Sequence, residues 1–488
     1  MRDALYHLDR DRPASLQAQI RDVLVGAIET GQLRAGEPVP STRAMAHRLA
    51  VSRNTVTLAY QALVSEGFLR SRERSGFFVD PAAIGEMRPQ TPAAPETAPG
   101  LGVDWDARAA KDLSDLRFLT RPEDWAKMPY PFIYGQVDHT ILPVSEWRDA
   151  MRQAMGKRWL DAWTIDHYGQ DDPLLLEEIA RRILPRRGIS AGPEEILVTS
   201  GAQNALYLIA ALLAEEGTPC VIEDPGYPDL RNMLALRRVA LRPVPVDGEG
   251  LRLGPELAGA RLVFVTPSHH YPTTATTTLS RRRALLAAAA AEDFVVVEDD
   301  YEFETNYLGT PLPALKSLDV AGRVIYVGSL SKTVMPGLRL GFVVGDPDLV
   351  ARLRVLRRLM LRHPPGNNQR AAALFMANGH YDALVRRIHR VFRARWLALR
   401  AALDDALPGW AEPPGFGGSS FWLTGPAGFD SAALAARALA AGVLVEPAGA
   451  FFARPGDGAR HLRLGFSSIS AERIPEGIAR LAAVIRAG

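Results

Sequence analysis

Residues 323–342 read RVIYVGSLSKTVMPGLRLGF, an apolar run followed by a lysine in a polar turn. The run is β-branched and almost continuously apolar, which is typical of a strand buried on both faces of a parallel sheet. Lys332 is one of only five lysines among 57 basic residues. A lysine at this place indicates chemistry that needs a free amine, because arginine keeps its proton.

Similar runs lie upstream and alternate with helical patterns. The runs are EEILVTS (194–200), PCVIED (219–224), RLVFVTP (261–267) and FVVVEDD (294–300). This alternation predicts an α/β domain with a large, mostly parallel sheet. After residue 366 the pattern becomes strongly helical and then returns to short strands, which predicts a second, smaller α+β domain.

Polar residues follow several of these strands, where open α/β sheets bind ligands. VTSGAQNAL (198–206) places small polar residues at a helix start, which suits a phosphate. VEDDY (297–301) offers three acids, Glu298, Asp299 and Asp300, for pairing with a pyridine nitrogen. With Lys332 as a Schiff-base amine, the order of these residues predicts a site for a phosphorylated aldehyde cofactor.

The N-terminal part has a different pattern. LQAQIRDVLVGAIETGQL (16–33) shows helical periodicity, and Ser41 and Ser52 are candidate N-caps for helices 42–50 and 53–66. Two short helices joined by a three-residue turn predict a helix-turn-helix, whose second helix enters the major groove.

LRSRERSGFFVD (69–80) adds two short strands around a turn, a wing beside the two helices. Between residues 41 and 79 there are six arginines and two acidic residues, whereas the net charge of the whole chain is +2. DNA binding is therefore expected from a local basic patch. The predicted DNA-contact residues are Ser41, Arg43, Ser52, Arg53, Asn54, Thr55, Arg72 and Arg74.

The length of the chain and a Pro/Ala-rich stretch predict how it divides into domains. The chain has 488 residues and one cysteine, so several domains are expected, and an internal disulfide or a multi-cysteine zinc site is excluded. No metal is predicted, and no signal-peptide or membrane pattern is present, so we expect a cytoplasmic bacterial protein. The predicted parts are the winged helix-turn-helix (10–80), a Pro/Ala-rich linker (81–115), a large domain (116–365) and a small domain (366–488).

The N-terminal motifs carry a family resemblance. GQLRAGEPVPSTR (31–43), VSRNTVTLAY (51–60), EGF (66–68) and SGFFV (75–79) resemble the winged-helix domain of the GntR family of bacterial regulators. One departure is Ala50, which stands where that family usually has a glycine.

The C-terminal motifs, over roughly 130–470, resemble the fold-type I aminotransferases that use pyridoxal phosphate. The resemblance implies that Lys332 carries the cofactor, that Asp299 pairs with the pyridine nitrogen, and that Tyr301 pairs with the ring hydroxyl. It also implies that Tyr227 stacks on the ring. The residues implied to hold the phosphate are Gly201, Ala202, Gln203, Ser329 and Arg339.

Two further residues extend this resemblance. Arg463 matches an arginine that grips a substrate carboxylate, and Tyr168 matches a tyrosine that reaches the phosphate of the neighbouring subunit in a homodimer. Two departures lie in TPSHHYPTT (266–274), where Tyr271 replaces an asparagine and Thr274 replaces a glycine. GFGGSSFW (415–422) matches only loosely.

Both motif sets in one chain resemble the MocR (GabR-like) subfamily of GntR regulators. The resemblance implies a DNA-binding transcriptional regulator that senses a small amine or amino-acid effector through an external aldimine at Lys332, without net catalytic turnover. It implies operator or promoter DNA as a partner, a homodimer with or without swapped DNA-binding domains, and association with the nucleoid when bound to DNA. The alternatives are an active aminotransferase with a DNA-binding appendage and a regulator whose aminotransferase-like part is a cofactor-free scaffold.

Overall fold

The computed structural model describes residues 8–9, 13–72, 76–85, 103–136, 138–412, 415–454 and 456–487. The chain divides into two compact units, residues 1–109 and 110–488, and each is described by itself. Residues 86–102 of the predicted linker (81–115) lie outside the described residues.

The first unit contains a three-helix core and a two-stranded wing. Its elements are α1 (Leu16–Glu29), α2 (Thr42–Leu49), α3 (Arg53–Ser65), β1 (Leu69–Arg72), β2 (Gly76–Val79), α4 (Pro81–Gly85) and α5 (Trp105–Arg108). Buried apolar side chains of α1, α2, α3 and the wing share one core. β1 and β2 pair antiparallel, with Leu69 opposite Val79. The predicted winged helix-turn-helix is therefore confirmed.

Serine caps begin both helices of the motif. Ser41 Oγ accepts the Ala44 amide at 3.2 Å, and Ser52 Oγ accepts the Thr55 amide at 3.0 Å. Between the helices, Ala50 adopts a left-handed conformation with φ 51°. The glycine that the family usually has at this position would adopt that conformation without strain.

The second unit is built on an eight-stranded sheet. The strands of this unit are β3 (Tyr130–Pro131), β4 (Ile196–Thr199), β5 (Pro219–Asp224), β6 (Ala240–Asp247), β7 (Gly250–Leu251), β8 (Leu262–Val265), β9 (Val295–Asp300), β10 (Val324–Ser329), β11 (Gly341–Val344), β12 (Ser420–Thr424), β13 (Val443–Leu444), β14 (Glu446–Pro447) and β15 (His461–Gly465). The large sheet has the order β4-β11-β10-β9-β8-β5-β6-β7. The pairs from β10 through β6 are parallel, which confirms the predicted mostly parallel sheet.

Helices cover this sheet and build the smaller α+β part. The helices are α6 (Val144–Ala154), α7 (Leu160–Thr164), α8 (Pro173–Glu178), α9 (Ala202–Leu213), α10 (Pro228–Leu236), α11 (Leu279–Glu292), α12 (Leu315–Leu318), α13 (Pro347–Leu361), α14 (Gly366–Ala377), α15 (His380–Ala406), α16 (Ser431–Ala440) and α17 (Ile474–Arg486). In the small part, β12, β15 and β14 form an antiparallel sheet.

The parallel sheet positions the predicted cofactor residues. The carboxyl ends of β5, β9 and β10 lie along one edge, together with the turn from β4 into α9. None of the helices in the described ranges is both long and apolar enough to span a bilayer.

Candidate functional site

Lys332 lies three residues after β10 and lines a cavity of about 410 Å³. Burial lowers the pKa of its amine to about 8, although the nearby Glu302 carboxyl opposes this shift. Its Nζ lies 4.4 Å from the centroid of the Tyr134 ring. A side chain at Gly135 would come within 2.6 Å of that Nζ, so the glycine leaves room for the amine. The arrangement provides a buried amine that loses its proton easily.

Asp299 is the acid of VEDDY that faces this cavity. Its Oδ1 is buried and has no hydrogen-bond partner among the described residues. Burial raises the pKa of its carboxyl to about 7, with Asp300 adding to the shift and Lys332 opposing it. An unpartnered buried carboxylate oxygen is costly unless a ligand pairs with it.

The two acids beside Asp299 on β9 have partners within the protein. Glu298 accepts two backbone amides of α12 at 2.8 Å each. Asp300 accepts the Arg187 Nε at 2.7 Å and the Tyr326 hydroxyl at 3.0 Å. Because side chains alternate along a strand, these two acids point away from the face that carries Asp299.

One end of the Lys332 cavity is polar, and it is formed by the turn into α9 and the end of β10. Gly201 has φ +88°, and a side chain there would come within 3.0 Å of the Arg339 guanidinium. Ala202 and Gln203 begin α9 and line the cavity with Ser329 and Arg339. The first amides of a helix have no partner within that helix, so this end of the cavity suits a phosphate.

Four tyrosines surround the remaining walls. Tyr271 meets Tyr227, Tyr134 and Tyr301 edge to face, with ring centroids 5.3, 5.6 and 5.8 Å apart. Burial raises the pKa of the Tyr134 and Tyr301 hydroxyls well above the usual value, so both phenols stay neutral. Tyr227 donates its hydroxyl hydrogen to Asp229 at 3.0 Å. Flat aromatic walls suit a planar ring.

Arg463 is fully buried beside this cavity. Its Nε donates to Glu446 Oε2 at 2.9 Å, and its Cζ lies 4.4 to 4.7 Å from the ring centroids of Tyr134, Tyr271 and Phe451. Its two terminal nitrogens make no hydrogen bond of good geometry to the described residues, although the Tyr271 hydroxyl interacts with the guanidinium. Its buried cationic end is thus held by one acid and three rings.

Tyr168 lies apart from the residues that line the cavity in this chain. Its ring is partly exposed, and the Arg358 Cζ lies 3.8 Å from the ring centroid. The second departure, Thr274, has φ 64°, so this threonine adopts a backbone conformation that favours glycine.

The predicted DNA-contact residues lie on the helix-turn-helix and the wing. Arg43, Arg53, Asn54 and Arg72 are exposed, while Thr55 is half-buried at the start of α3. The Arg53 Nε donates a long hydrogen bond of 3.4 Å to the hydroxyl of Thr42, the first residue of α2. Ser41 and Ser52 are exposed but also serve as the helix caps described above, and Arg74 lies outside the described residues.

Two family models match this chain, one in each unit. "Bacterial regulatory proteins, gntR family" matches residues 16–79, and "Aminotransferase class I and II" matches residues 134–481. The HTH-type transcriptional regulator TauR of Rhodobacter capsulatus is 46% identical over 97% of this chain and 97% of that protein. The probable rhizopine catabolism regulatory protein MocR of Rhizobium meliloti is 31% identical over 83% of this chain and 80% of that protein.

The chain belongs to the MocR-like subfamily of GntR transcriptional regulators. It is a DNA-binding transcriptional regulator, as its sequence predicts. The solved α-aminoadipate aminotransferase LysN of Thermus thermophilus, complexed with N-(5'-phosphopyridoxyl)-L-leucine, is 28% identical, with a TM-score of 0.70 over 79% of this chain and 99% of that chain.

The cofactor of this MocR-like regulator is pyridoxal 5'-phosphate. The residues of the site fit it, since the cavity presents a buried amine, an unpartnered carboxylate oxygen, a helix start and flat aromatic walls. These are the groups that such a cofactor needs for its aldehyde, pyridine nitrogen, phosphate and ring.

Residues outside the set predicted from the sequence also surround Lys332. Tyr134 and Gly135 come from almost two hundred residues upstream, and no local pattern marks them. Glu302 is buried, and burial raises the pKa of its carboxyl to about 7. Because Glu302 directly follows Tyr301 just after β9, its sequence position marks it as a further candidate residue of the site.

Proposed function

We propose that this regulator senses an amine that bears an acidic group, at pyridoxal phosphate held by Lys332. The observation that carries the proposal is the buried amine of Lys332, with a pKa lowered to about 8, facing a cavity of about 410 Å³. When bound, the cofactor supplies an electrophilic carbon that an amine attacks. A lysine with this pKa has a much larger unprotonated fraction near neutral pH than an ordinary lysine, which favours its exchange with an incoming amine.

The surrounding residues have proposed roles in holding the cofactor. Asp299 keeps the pyridine nitrogen protonated, Tyr301 donates to the ring hydroxyl, and Tyr227 covers the ring. The amides at Gly201, Ala202 and Gln203 bind the phosphate with Ser329 and Arg339. The unpartnered oxygen of Asp299 and the left-handed Gly201 beside Arg339 support these assignments.

The effector's acidic group is proposed to pair with Arg463, which lies buried directly behind the cavity-lining rings of Tyr134 and Tyr271 and whose terminal nitrogens make no hydrogen bond of good geometry to the described residues. Ligand exchange then alters DNA binding only if the effector binds two conformations of the regulator with different affinity. Sensing needs amine exchange alone, whereas turnover also needs repeated proton transfer by the released lysine.

A titration of the cofactor-loaded full chain with small amino acids tests this function. We expect the visible absorption of the bound cofactor to shift, and the affinity for DNA from upstream of its own or neighbouring genes to change in parallel. A shift in absorption without any change in DNA affinity would contradict the sensing role. Sustained keto-acid formation at ordinary enzyme rates would instead support the aminotransferase alternative.

We further propose that the regulator is a homodimer, in which Tyr168 reaches the phosphate site of the neighbouring subunit. Exposed apolar side chains on α13 support this, since Val355 and Leu359 are 62% and 80% exposed.

Leu359→Asp should therefore shift the protein toward monomer in sedimentation, because it places a charge in the proposed interface. Val320→Asp is the matched control on a fully exposed loop position, and equal dissociation of both variants would contradict the interface.

A further inference from the structure

Lys332 lines a second, much smaller cavity in addition to the cofactor cavity. The small cavity has a volume of about 30 Å³, and its walls include Gly135, Glu302 and Ser419, which do not line the cofactor cavity. The Tyr134 ring borders both cavities. A space of this size accommodates a water molecule. Lys332 therefore shares a small polar space with the acid Glu302.

Glu302 is a buried acid of the small cavity. It lies two residues after β9, is 7% exposed and contacts the Ser419 hydroxyl, and it forms no ion pair with an arginine of the described residues. Glu304 lines the same cavity but accepts hydrogen bonds from the Arg186 Nη1 at 3.1 Å and the Tyr381 hydroxyl at 2.8 Å. Because a buried carboxylate is costly without a cationic partner, Glu302 favours a cation in this cavity.

The amine of Lys332 provides that cation. Burial lowers the pKa of Lys332, and the charge of Glu302 is the strongest neighbouring charge acting on the amine, which raises that pKa. Burial raises the pKa of Glu302 to about 7, and the Ser419 hydroxyl and the charge of Lys332 oppose that shift. Each of the two groups therefore favours the charged form of the other.

The other ionisable groups around this pair have different partners or stay neutral. Glu446 pairs with two guanidinium groups, those of Arg121 and Arg463. Asp299 faces the cofactor cavity, where it is proposed to hold the pyridine nitrogen. Burial raises the pKa of the nearby phenols well above the usual value, and these are Tyr134, Tyr301 and Tyr307. Glu302 is thus the acid that remains for the amine.

A serine hydroxyl completes the small cavity. Ser467 Oγ is buried, and it makes no hydrogen bond to the residues that the structure describes. Together with the Glu302 carboxylate and the Lys332 amine, it offers the two to four polar partners that a buried water needs.

We infer that Glu302 is a positioning residue for Lys332, which holds the protonated amine at the small cavity whenever the lysine is not bound to the cofactor. The inference rests on the proposed function. When an incoming amine displaces Lys332, the proton that the amine loses passes to the Nζ that Lys332 regains, so the exchange needs no other proton donor. The Glu302 carboxylate stabilises the resulting ammonium group, and a water bound by Ser467 Oγ bridges the two.

The pH dependence of the Lys332 amine in the cofactor-free full chain tests this inference. Acetylation of Lys332 by acetic anhydride between pH 6 and pH 9, measured by mass spectrometry, reports the unprotonated amine. In Glu302→Gln we expect the midpoint to fall by about one pH unit, because a neighbouring opposite charge commonly moves a pKa by this much or more. The midpoint for capture of pyridoxal phosphate should fall with it. Glu302→Asp retains the carboxylate, so its midpoint should lie between those of Glu302→Gln and the wild type.

Glu304→Gln is the matched control, because Glu304 lines the same cavity but is held by Arg186 and Tyr381. It should leave both midpoints unchanged. Thermal unfolding verifies that each variant is folded. Unchanged midpoints in Glu302→Gln, or an equal fall in Glu304→Gln, would overturn the inference alone. A wild-type protein whose DNA affinity does not change on amine exchange would instead contradict the proposed function, since neither midpoint depends on an effector or on DNA.

Discussion

At the scale of single residues, burial determines which protonation states the site uses. Burial lowers the pKa of Lys332 to about 8 and raises that of Asp299 to about 7. Both shifts have the same physical cause, because a low-dielectric site disfavours whichever form is charged. A cofactor that pairs with Asp299 and consumes the amine relieves both penalties.

The apparent affinity of the cofactor-free protein for pyridoxal phosphate should depend on pH. Covalent capture needs the unprotonated amine, so affinity should rise with pH and level off above about pH 8, the pKa of Lys332. Visible absorption in a cofactor titration from pH 6 to pH 9 measures this. Lys332→Ala should lose the absorption of the covalently held cofactor at every pH. A pH-independent affinity in the wild-type protein would be incompatible with this assignment.

Asp299→Asn should weaken cofactor binding without destabilising the fold, whereas Asp300→Asn should destabilise the fold. Asp299→Asn removes a buried carboxylate whose pKa is raised, so at pH 8 the cofactor-free fold should lose no stability while cofactor affinity falls at least tenfold. Asp300→Asn leaves the buried Arg187 without its acid, which costs about 3–5 kcal/mol. Thermal unfolding and cofactor titration of both variants check this, and a strongly destabilised Asp299→Asn would contradict it.

At the scale of elements, local patterns determine most of the helices and strands. The five apolar runs became β4, β5, β8, β9 and β10, because β-branched runs of this length favour strands whose two faces are buried. Ser41 and Ser52 begin α2 and α3, because their hydroxyls accept amides that lack helical partners.

The turn between α2 and α3 allows a prediction at this scale. Ala50→Gly should stabilise the N-terminal unit by up to about 1 kcal/mol, because a left-handed alanine costs about 1–2 kcal/mol and glycine's extra freedom in the unfolded chain offsets part of the gain. Ala50→Val should be destabilising. Chemical denaturation of the full chain, followed by a probe in the first unit, measures both; a stabilising Ala50→Val would refute the strain argument.

At the scale of the whole molecule, two units with different chemistry share one chain. The first unit carries exposed arginines on α3 and the wing, and the second carries the buried site around Lys332. We expect DNA binding to depend mainly on residues of the first unit and cofactor binding mainly on residues of the second.

Arg53→Ala should weaken operator binding by tenfold or more and leave cofactor affinity unchanged, because Arg53 is exposed at the start of the predicted recognition helix. A salt-controlled DNA titration and a cofactor titration measure the two effects. Arg21→Ala is the control. Arg21 lies on α1 outside the predicted DNA contacts, and its Nε pairs with Glu66 Oε2 at 2.8 Å. Equal loss of DNA and cofactor binding in Arg53→Ala would contradict the division of roles.

The sequence by itself determined the winged helix-turn-helix and the mostly parallel sheet, and it marked Lys332 as the candidate amine, because each depends on periodicity or on residue chemistry at short range. Alternation along β9 places Glu298 and Asp300 on one face and Asp299 on the other, but only the packed sheet decides which face meets the cavity. The tertiary structure alone brought Tyr134 and Gly135 to Lys332 and paired Glu446 with both Arg121 and Arg463. Apart from Glu446 and Arg463, which face each other on β14 and β15, these contacts connect residues that are about two hundred or more positions apart, and such pairings arise from the packing of the whole domain.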